Sequence, residues 1–179
     1  MRVAVTGTPG TGKTTATRRL EADSEGALDV VHLNDVVREA GFSTGTDEAR
    51  DSLVADLDAV EGWLDERDAG DVELLESHLA HLLPADRVVV LRCHPDELGD
   101  RLTERGESEA SVAENRESEA LDVVLAEAVE RHGLDSVYEV DATERSPEAV
   151  AAAIEAVVAG EREPSAGTVS FVDSLADHP

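Results

Sequence analysis

Residues 2–15 read RVAVTGTPGTGKTT. A β-branched run from Arg2 to Thr6 meets a glycine, and Gly7 to Thr14 then fits G-x-x-x-x-G-K-[ST] at every fixed position. This spacing needs a buried strand before it and a helix behind it. Glycines let backbone N–H groups turn inward without Cβ clashes, and the helix that follows points the positive end of its dipole at the same place. The result is a phosphate cradle. Gly7, Pro9, Gly10, Thr11, Gly12, Lys13, Thr14 and Thr15 are the expected ligands of a nucleoside triphosphate. Lys13 is expected to reach the β- and γ-phosphates, and the Thr14 hydroxyl to meet Mg2+.

Lys13 is also the only lysine: fifteen residues are basic and fourteen of them are arginine. Lysine is a compact point charge on a slim stem, whereas arginine is a broad planar fork. A loop wrapped closely around phosphates favours the first.

Beyond the loop, strands are expected at 28–33, 72–77, 87–93 and 136–140, and RVVVLRC (87–93) reads as a central parallel strand, apolar on both faces. Helices are expected at 13–22, at 35–41 behind an Asn34 cap, across the apolar spacing of 51–70, from Pro95 to about Glu104, over 111–132, and at 146–160 with Pro147 at its first position. Residues 42–50 read as a polar loop. Strand and helix alternation predicts an α/β fold with a parallel sheet covered on both faces. The 179 residues suit one domain, 1–160, with 161–179 a loose tail in which TVSFV forms a short strand or a docking segment.

The formal charge of −26 is spread along the chain. Such a surface repels nucleic-acid phosphates, so direct nucleic-acid binding is not expected. An acidic partner-binding surface and partial disorder are alternatives. A cytoplasm of molar salt fits best, because there the Debye length falls to about 3 Å and self-repulsion is screened. One cysteine, Cys93, excludes an internal disulfide. MRVAVTG is unlike a signal peptide, and no apolar run approaches the roughly 20 residues of a membrane span. A soluble cytoplasmic protein is the expectation.

The loop says nucleoside triphosphate without choosing between kinase, GTPase and motor. The usual guanine-reading motif contains lysine, which the chain lacks outside the loop. Phosphoryl transfer needs cations around the moving group. Arg38, Arg92, Arg101 and Arg105 are candidates, each with a plain structural alternative. His78 and His81 stand three apart; a metal reading would need Cys93 or His94 as well. Trp63 is expected in packing.

GTPGTGKTT, LNDVVREAGF, ESHLAHLLP, VVVLRCHPDELGDRLTERG and EN at 114–115 together resemble the compact adenylate kinases of archaea, relatives of a eukaryotic nuclear adenylate kinase/ATPase that assists small ribosomal subunit assembly. The resemblance spans roughly residues 1–157. It implies a P-loop NTPase of nucleoside monophosphate kinase type, with a five-stranded parallel sheet flanked by helices, a monophosphate-binding region near 34–67 and a lid near 104–115. It implies transfer from MgATP to AMP, with a small-subunit ribosomal protein as a further partner. By the same resemblance Arg38 holds the AMP phosphate and Arg101 and Arg105 clamp the transferring phosphates. Glu76 holds Mg2+ through water, His78 is linked to ATP hydrolysis, and Asp141 to Thr143 fall where an adenine-contacting loop lies. Many relatives carry Asp at the Glu76 position. The alternatives are a P-loop kinase with another acceptor and an ATPase assembly factor.

Overall fold

The computed structural model describes residues 1–24, 26–47 and 52–176. Five parallel strands form the centre: β1 (Arg2–Thr6), β2 (Asp29–His32), β5 (Glu73–Glu76), β6 (Arg87–Arg92) and β7 (Val137–Asp141), in the order β2-β5-β1-β6-β7. A separate antiparallel pair, β3 (Ser43–Asp47) and β4 (Ser52–Ala55), lies between β2 and β5 in the chain. The helices are α1 (Lys13–Asp23), α2 (Leu33–Ala40), α3 (Leu57–Glu66), α4 (Pro95–Glu104), α5 (Glu109–Ala120), α6 (Val123–His132) and α7 (Pro147–Val158). No helix among the described residues is long and apolar enough to cross a membrane.

Side chains alternate between faces along each strand. Val3, Val5, Leu74, Val89, Leu91 and Val140 face α1 and α7, where Ala16, Leu20, Ile154 and Val157 complete one core. Ala4, Leu75, Val88 and Val90 face the other way, against Leu33 and Val37 of α2, Val60 and Leu64 of α3, and Leu125 and Ala128 of α6. Few aromatics contribute, as the composition requires. Because the strands are parallel, their carboxyl ends share one edge. β1 delivers the glycine loop there, β2 His32, β5 Glu76, and β7 the turn before α7. Open α/β sheets place their ligands at that edge.

The structure departs from the sequence reading in five places. Asn34 does not cap α2: the cap position is His32, and the Asn34 amide oxygen instead accepts from Ser77 Oγ at 3.0 Å. The polar loop 42–50 is partly β3, and β4 takes the start of the expected helix 51–70. Asp56 then caps α3 by accepting from Ala59 N at 3.1 Å, so the helix starts six residues later. The long helix 111–132 is two helices, broken where Asp122 takes φ 56°. The tail is fastened rather than loose: Ser165 N donates to Val137 O at 3.0 Å, and Thr168 N to the Glu139 carboxylate at 2.6 Å. Of TVSFV, Thr168 to Phe171 dock against Glu139 and Arg92, and Val172 opens a 3-10 turn at Val172–Ala176. Residues 48–50 of the loop and 177–179 of the tail lie outside the described residues.

Candidate functional site

Two glycines show why the loop can form. Gly7 has φ +136°, and a Cβ there would stand 2.4 Å from Leu91 O of β6. Gly10 has φ +95°, and its Cβ would meet Leu98 and Leu102 of α4. Inside the loop, Lys13 is only 7% exposed. Its Nζ donates to Gly7 O at 2.8 Å and Thr8 O at 3.0 Å. Burial lowers its pKa to about 8, with Glu76 and Glu119 opposing the fall and Arg105 adding to it. The ammonium is therefore held at the loop's centre with little water around it, where an added phosphate would be strongly attracted.

Glu76 ends β5 beside the loop. Thr14 Oγ1 donates to its Oε1 at 3.1 Å, and His32 Nδ1 donates to its Oε2 at 2.7 Å. Burial alone would raise the Glu76 pKa; the His32 hydrogen bond, Lys13 and the Thr14 hydroxyl outweigh it and hold the group ionised. The same bond raises the pKa of His32. A hydroxyl and an oriented carboxylate at the foot of a phosphate cradle are hard oxygen donors of the kind Mg2+ takes when phosphates supply its other ligands. No group of three metal-type side chains occurs among the described residues, so a cation here depends on those phosphates. Residues present and chemistry required agree. His32 went unnoticed in the sequence; its position at the last residue of β2, on the strand edge where Glu76 sits, is the signal that marks it.

Two cavities meet at the loop and a third adjoins one of them. The middle one, about 150 Å3, is lined by Lys13, Thr14, Glu76, His78 and Arg105, with Asn34 at one end. On one side it shares Gly10, Gly12, Thr15 and Arg105 with a cavity of about 230 Å3 that also carries Arg101, Ala142, Arg145 and Val150. On the other it shares Asn34 and His78 with a cavity of about 290 Å3 bounded by Val37, Arg38, Leu53 and Leu79. Most of the residues expected at the site line one or another of these adjoining cavities, which together form a trough; Gly7 and Arg92 line none of them. Arg101 is braced by Glu97 and donates to Gly10 O at 3.3 Å. Arg105 is exposed at the end of α4. Arg38 is open to solvent and ion-paired with Asp35 at 3.1 Å, one turn away on the same helix. His78 borders the middle cavity and the one beside Arg38; burial, then the neighbouring Lys13, push its pKa down to about 4, leaving a neutral imidazole at neutral pH.

Comparisons with known proteins bear on the family and the fold. The AAA domain family matches residues 3–122. Three archaeal proteins carrying the name "Putative adenylate kinase" align along nearly the whole chain. One from Natronomonas pharaonis is 65% identical over 98% of this chain and 100% of its own length. One from Halobacterium salinarum is 59% identical over 97% and 99%. One from Methanosarcina acetivorans is 40% identical over 98% and 100%. The chain belongs to this archaeal adenylate kinase family. A deoxyadenosine kinase from M. mycoides, solved with dCMP and a flexible dCDP, superposes with a TM-score of 0.54 at 15% identity, covering 90% of this chain and 100% of that one. That likeness concerns the fold: an α/β P-loop sheet of the nucleoside monophosphate kinase type.

Most of the other sequence candidates lie outside these three cavities. Arg92 is buried at the end of β6 and bonded to Glu119, Glu139 and Asp122, so its role is structural. His81 is buried between Thr6 Oγ1 at 2.8 Å and Glu127 Oε2 at 3.0 Å, tying α6 to β1. His94 caps α4, its side chain accepting from Asp96 N at 3.3 Å. Trp63 packs edge-on to Phe42 with Arg67 over its ring at 4.8 Å. Of the expected loop Asp141 to Thr143, Ala142 lines the cavity together with Arg145, while Thr143 Oγ1 donates to Asp141 Oδ1 and accepts from the His94 amide. Arg145 was missed because it reads as an ordinary charge before the last helix.

Proposed function

We propose that the protein is an adenylate kinase transferring the γ-phosphate of MgATP to AMP, giving two ADP. The observation that carries the reading is the continuous trough, whose centre holds Lys13 and whose two flanking cavities suit two nucleotides meeting phosphate to phosphate. The names of the archaeal relatives support the same chemistry. In this reading the cavity beside Arg145 and Val150 takes the ATP base, and the cavity beside Arg38 takes AMP.

No covalent intermediate is needed; the chain's work is positioning and charge stabilisation. Loop amides and Lys13 hold the β- and γ-phosphates. Arg101 and Arg105 neutralise charge that develops during transfer, and Arg38 leaves Asp35 to hold the acceptor phosphate. Bound Mg2+ would neutralise the phosphate oxygens, with Thr14 as a ligand and Glu76 holding it through water, oriented by His32. Closure of the 104–115 lid over the 34–67 region excludes water that would otherwise hydrolyse ATP. Neutral His78 is placed to hold a water or the acceptor, which accommodates the ATPase activity that the family resemblance carries. The −26 charge suits a molar-salt cytoplasm. Relatives from haloarchaea support that setting.

The test is an acceptor panel of AMP, CMP, UMP and GMP with ATP at molar KCl. ADP formation with AMP at a kcat/KM at least tenfold above the others is expected. No turnover with AMP overturns the proposal and favours another acceptor. A role as an assembly ATPase acting on a small-subunit ribosomal protein is tested by pull-down at molar KCl; a stoichiometric ribosomal protein would establish it alongside the kinase activity.

A further inference from the structure

Thr8 is the one side chain of the glycine loop that reaches away from the trough into a buried charged cluster. It is 1% exposed, and its Oγ1 donates to Glu119 Oε2. Its carbonyl accepts from Lys13 Nζ at 3.0 Å and Thr11 Oγ1 at 2.9 Å. Thr8 thus sits between the phosphate-binding lysine and Glu119, which lies in the last turn of α5.

Glu119 is itself fixed. Its Oε1 accepts from Arg92 Nε at 2.7 Å and Cys93 N at 3.1 Å. Arg92 Nη1 donates to Glu139 Oε1 at 2.6 Å. Arg92 Nη2 donates to Glu119 O at 3.1 Å and to the Asp122 carboxylate, bracing the break between α5 and α6. The other oxygen of Glu139 accepts from Thr168 N at 2.6 Å and Val169 N at 3.3 Å, and Phe171 lies 5.4 Å from the Arg92 guanidinium carbon. An unbroken chain of hydrogen bonds, part-buried at Thr168 and Val169 and buried from Glu139 onward, runs from the C-terminal segment to the loop. Arg92, Glu119 and Glu139 are each 1–2% exposed. Charged groups in such surroundings have few alternative geometries, because losing a partner leaves a buried charge unpaired.

We infer that Glu119 is a positioning residue for the phosphate loop, acting through Thr8, and that the segment around Thr168–Phe171 is part of the same support, acting through Glu139 and Arg92. Glu119 sets where the Thr8 carbonyl stands, and that carbonyl is one of the two that hold Lys13. It also places the end of α5 and the loop on one post, so the helix that carries the second half of the lid region and the phosphate cradle share an anchor.

The inference rests on ATP phosphates occupying the loop, and the experiment separates the two. Thr8→Val keeps the shape and removes the hydroxyl proton; Thr8→Ser restores it. Glu139→Gln places an amide against donors at the far end and touches nothing in the trough. ATP binding is measured by calorimetry, KM for ATP and for AMP by coupled assay, and melting by calorimetry, all at molar KCl. Thr8→Val is expected to raise Kd and KM for ATP about tenfold, with KM for AMP within about twofold of wild type. Thr8→Ser is expected within about threefold of wild type for ATP. Glu139→Gln is expected to raise KM for ATP about threefold with KM for AMP unchanged, which keeps the test open if Thr8→Val fails to fold. Wild-type ATP binding in Thr8→Val, an equal rise in both KM values, or a lower melting point with KM for ATP unchanged each overturns it. Lys13→Ala is the control. If it abolishes ATP binding while Thr8→Val does not, only the positioning role fails. If Lys13→Ala binds ATP normally, the phosphate site fails and takes the inference with it.

Discussion

Arg92→Met probes the buried charge cluster most directly. The guanidinium is 1% exposed and meets Glu119 at 2.7 Å, Glu139 at 2.6 Å and Asp122. Methionine fills much of the volume but supplies no donor. Glu119 and Glu139, 2% exposed each, lose their cation together. Removing one partner of a buried pair costs about 3–5 kcal/mol. A domain of this size has roughly 5–15 kcal/mol of stability in all, and each kcal/mol shifts Tm by about 2–4 °C. A fall of about 10 °C or more is therefore expected, measured by calorimetry without nucleotide at molar KCl. Salt does not rescue it, since buried pairs are screened far less than exposed ones. Arg92→Lys should recover less than half the loss, because one ammonium cannot match a fork that serves three carboxylates on separate elements. A shift under about 2 °C for Arg92→Met, below ~1 kcal/mol, refutes the reasoning and returns Arg92 to the ranks of ordinary surface-type charges.

Burial, opposed by Glu127, lowers the His81 pKa, so folding keeps the ring neutral while the unfolded chain takes up a proton below pH 6.5. Stability is thus lost as pH falls through that point and on towards the folded pKa, and His81→Gln should flatten this acid limb in urea titrations from pH 7 downward. Cys93 is 0% exposed and burial pushes its thiol up to about 12, so folded protein at pH 8 should resist thiol reagents and react only at the rate of unfolding; fast labelling under native conditions contradicts the placement. Raising KCl to molar levels should raise both Tm and turnover by screening the −26 charge; a salt-independent melting curve contradicts the high-salt reading.

How legible each feature was depended on whether its cause is local. β1 and α1 were read at nearly their observed limits, since a strand, a glycine loop and a helix start are dictated by neighbouring residues. The α7 boundaries were equally plain from Ser146, Pro147 and Gly160. The Asp122 break left no such mark: a charged residue in αL conformation is held by Arg92, thirty positions away. β4 was hidden because SLVA carries the same apolar residues a helix would use, and only pairing with β3 settles its state. In the trough, Lys13 and Thr14 were readable from a fixed spacing, whereas Glu76 and His78 came from the family resemblance alone. His32, Arg145, Thr8 and Glu119 were not readable, because nothing in their own sequence neighbourhoods says which distant group they face. The tail's attachment to Glu139 escaped notice for the same reason.

Lys13 and Arg92 divide the work by shape. Among the described lysines and arginines, only Lys13 and Arg92 are buried. Arg92 meets carboxylates from α5, β7 and the α5–α6 break, which calls for a fork. Lys13 stands 2.8 and 3.0 Å from two carbonyls of one tight loop, which leaves room for a single nitrogen. Lys13→Arg keeps the charge and changes only the shape, so it isolates this argument from electrostatics. The broader head must either displace Gly7 and Thr8 or be expelled from the cradle. A misplacement of about 1 Å at such a site costs about 10²-fold in rate, so kcat/KM for ATP should fall by about that factor while the melting point stays within a few degrees. Activity within about threefold of wild type would mean that the loop accepts either cation. The single lysine would then need a cause other than the fit of its head between those two carbonyls.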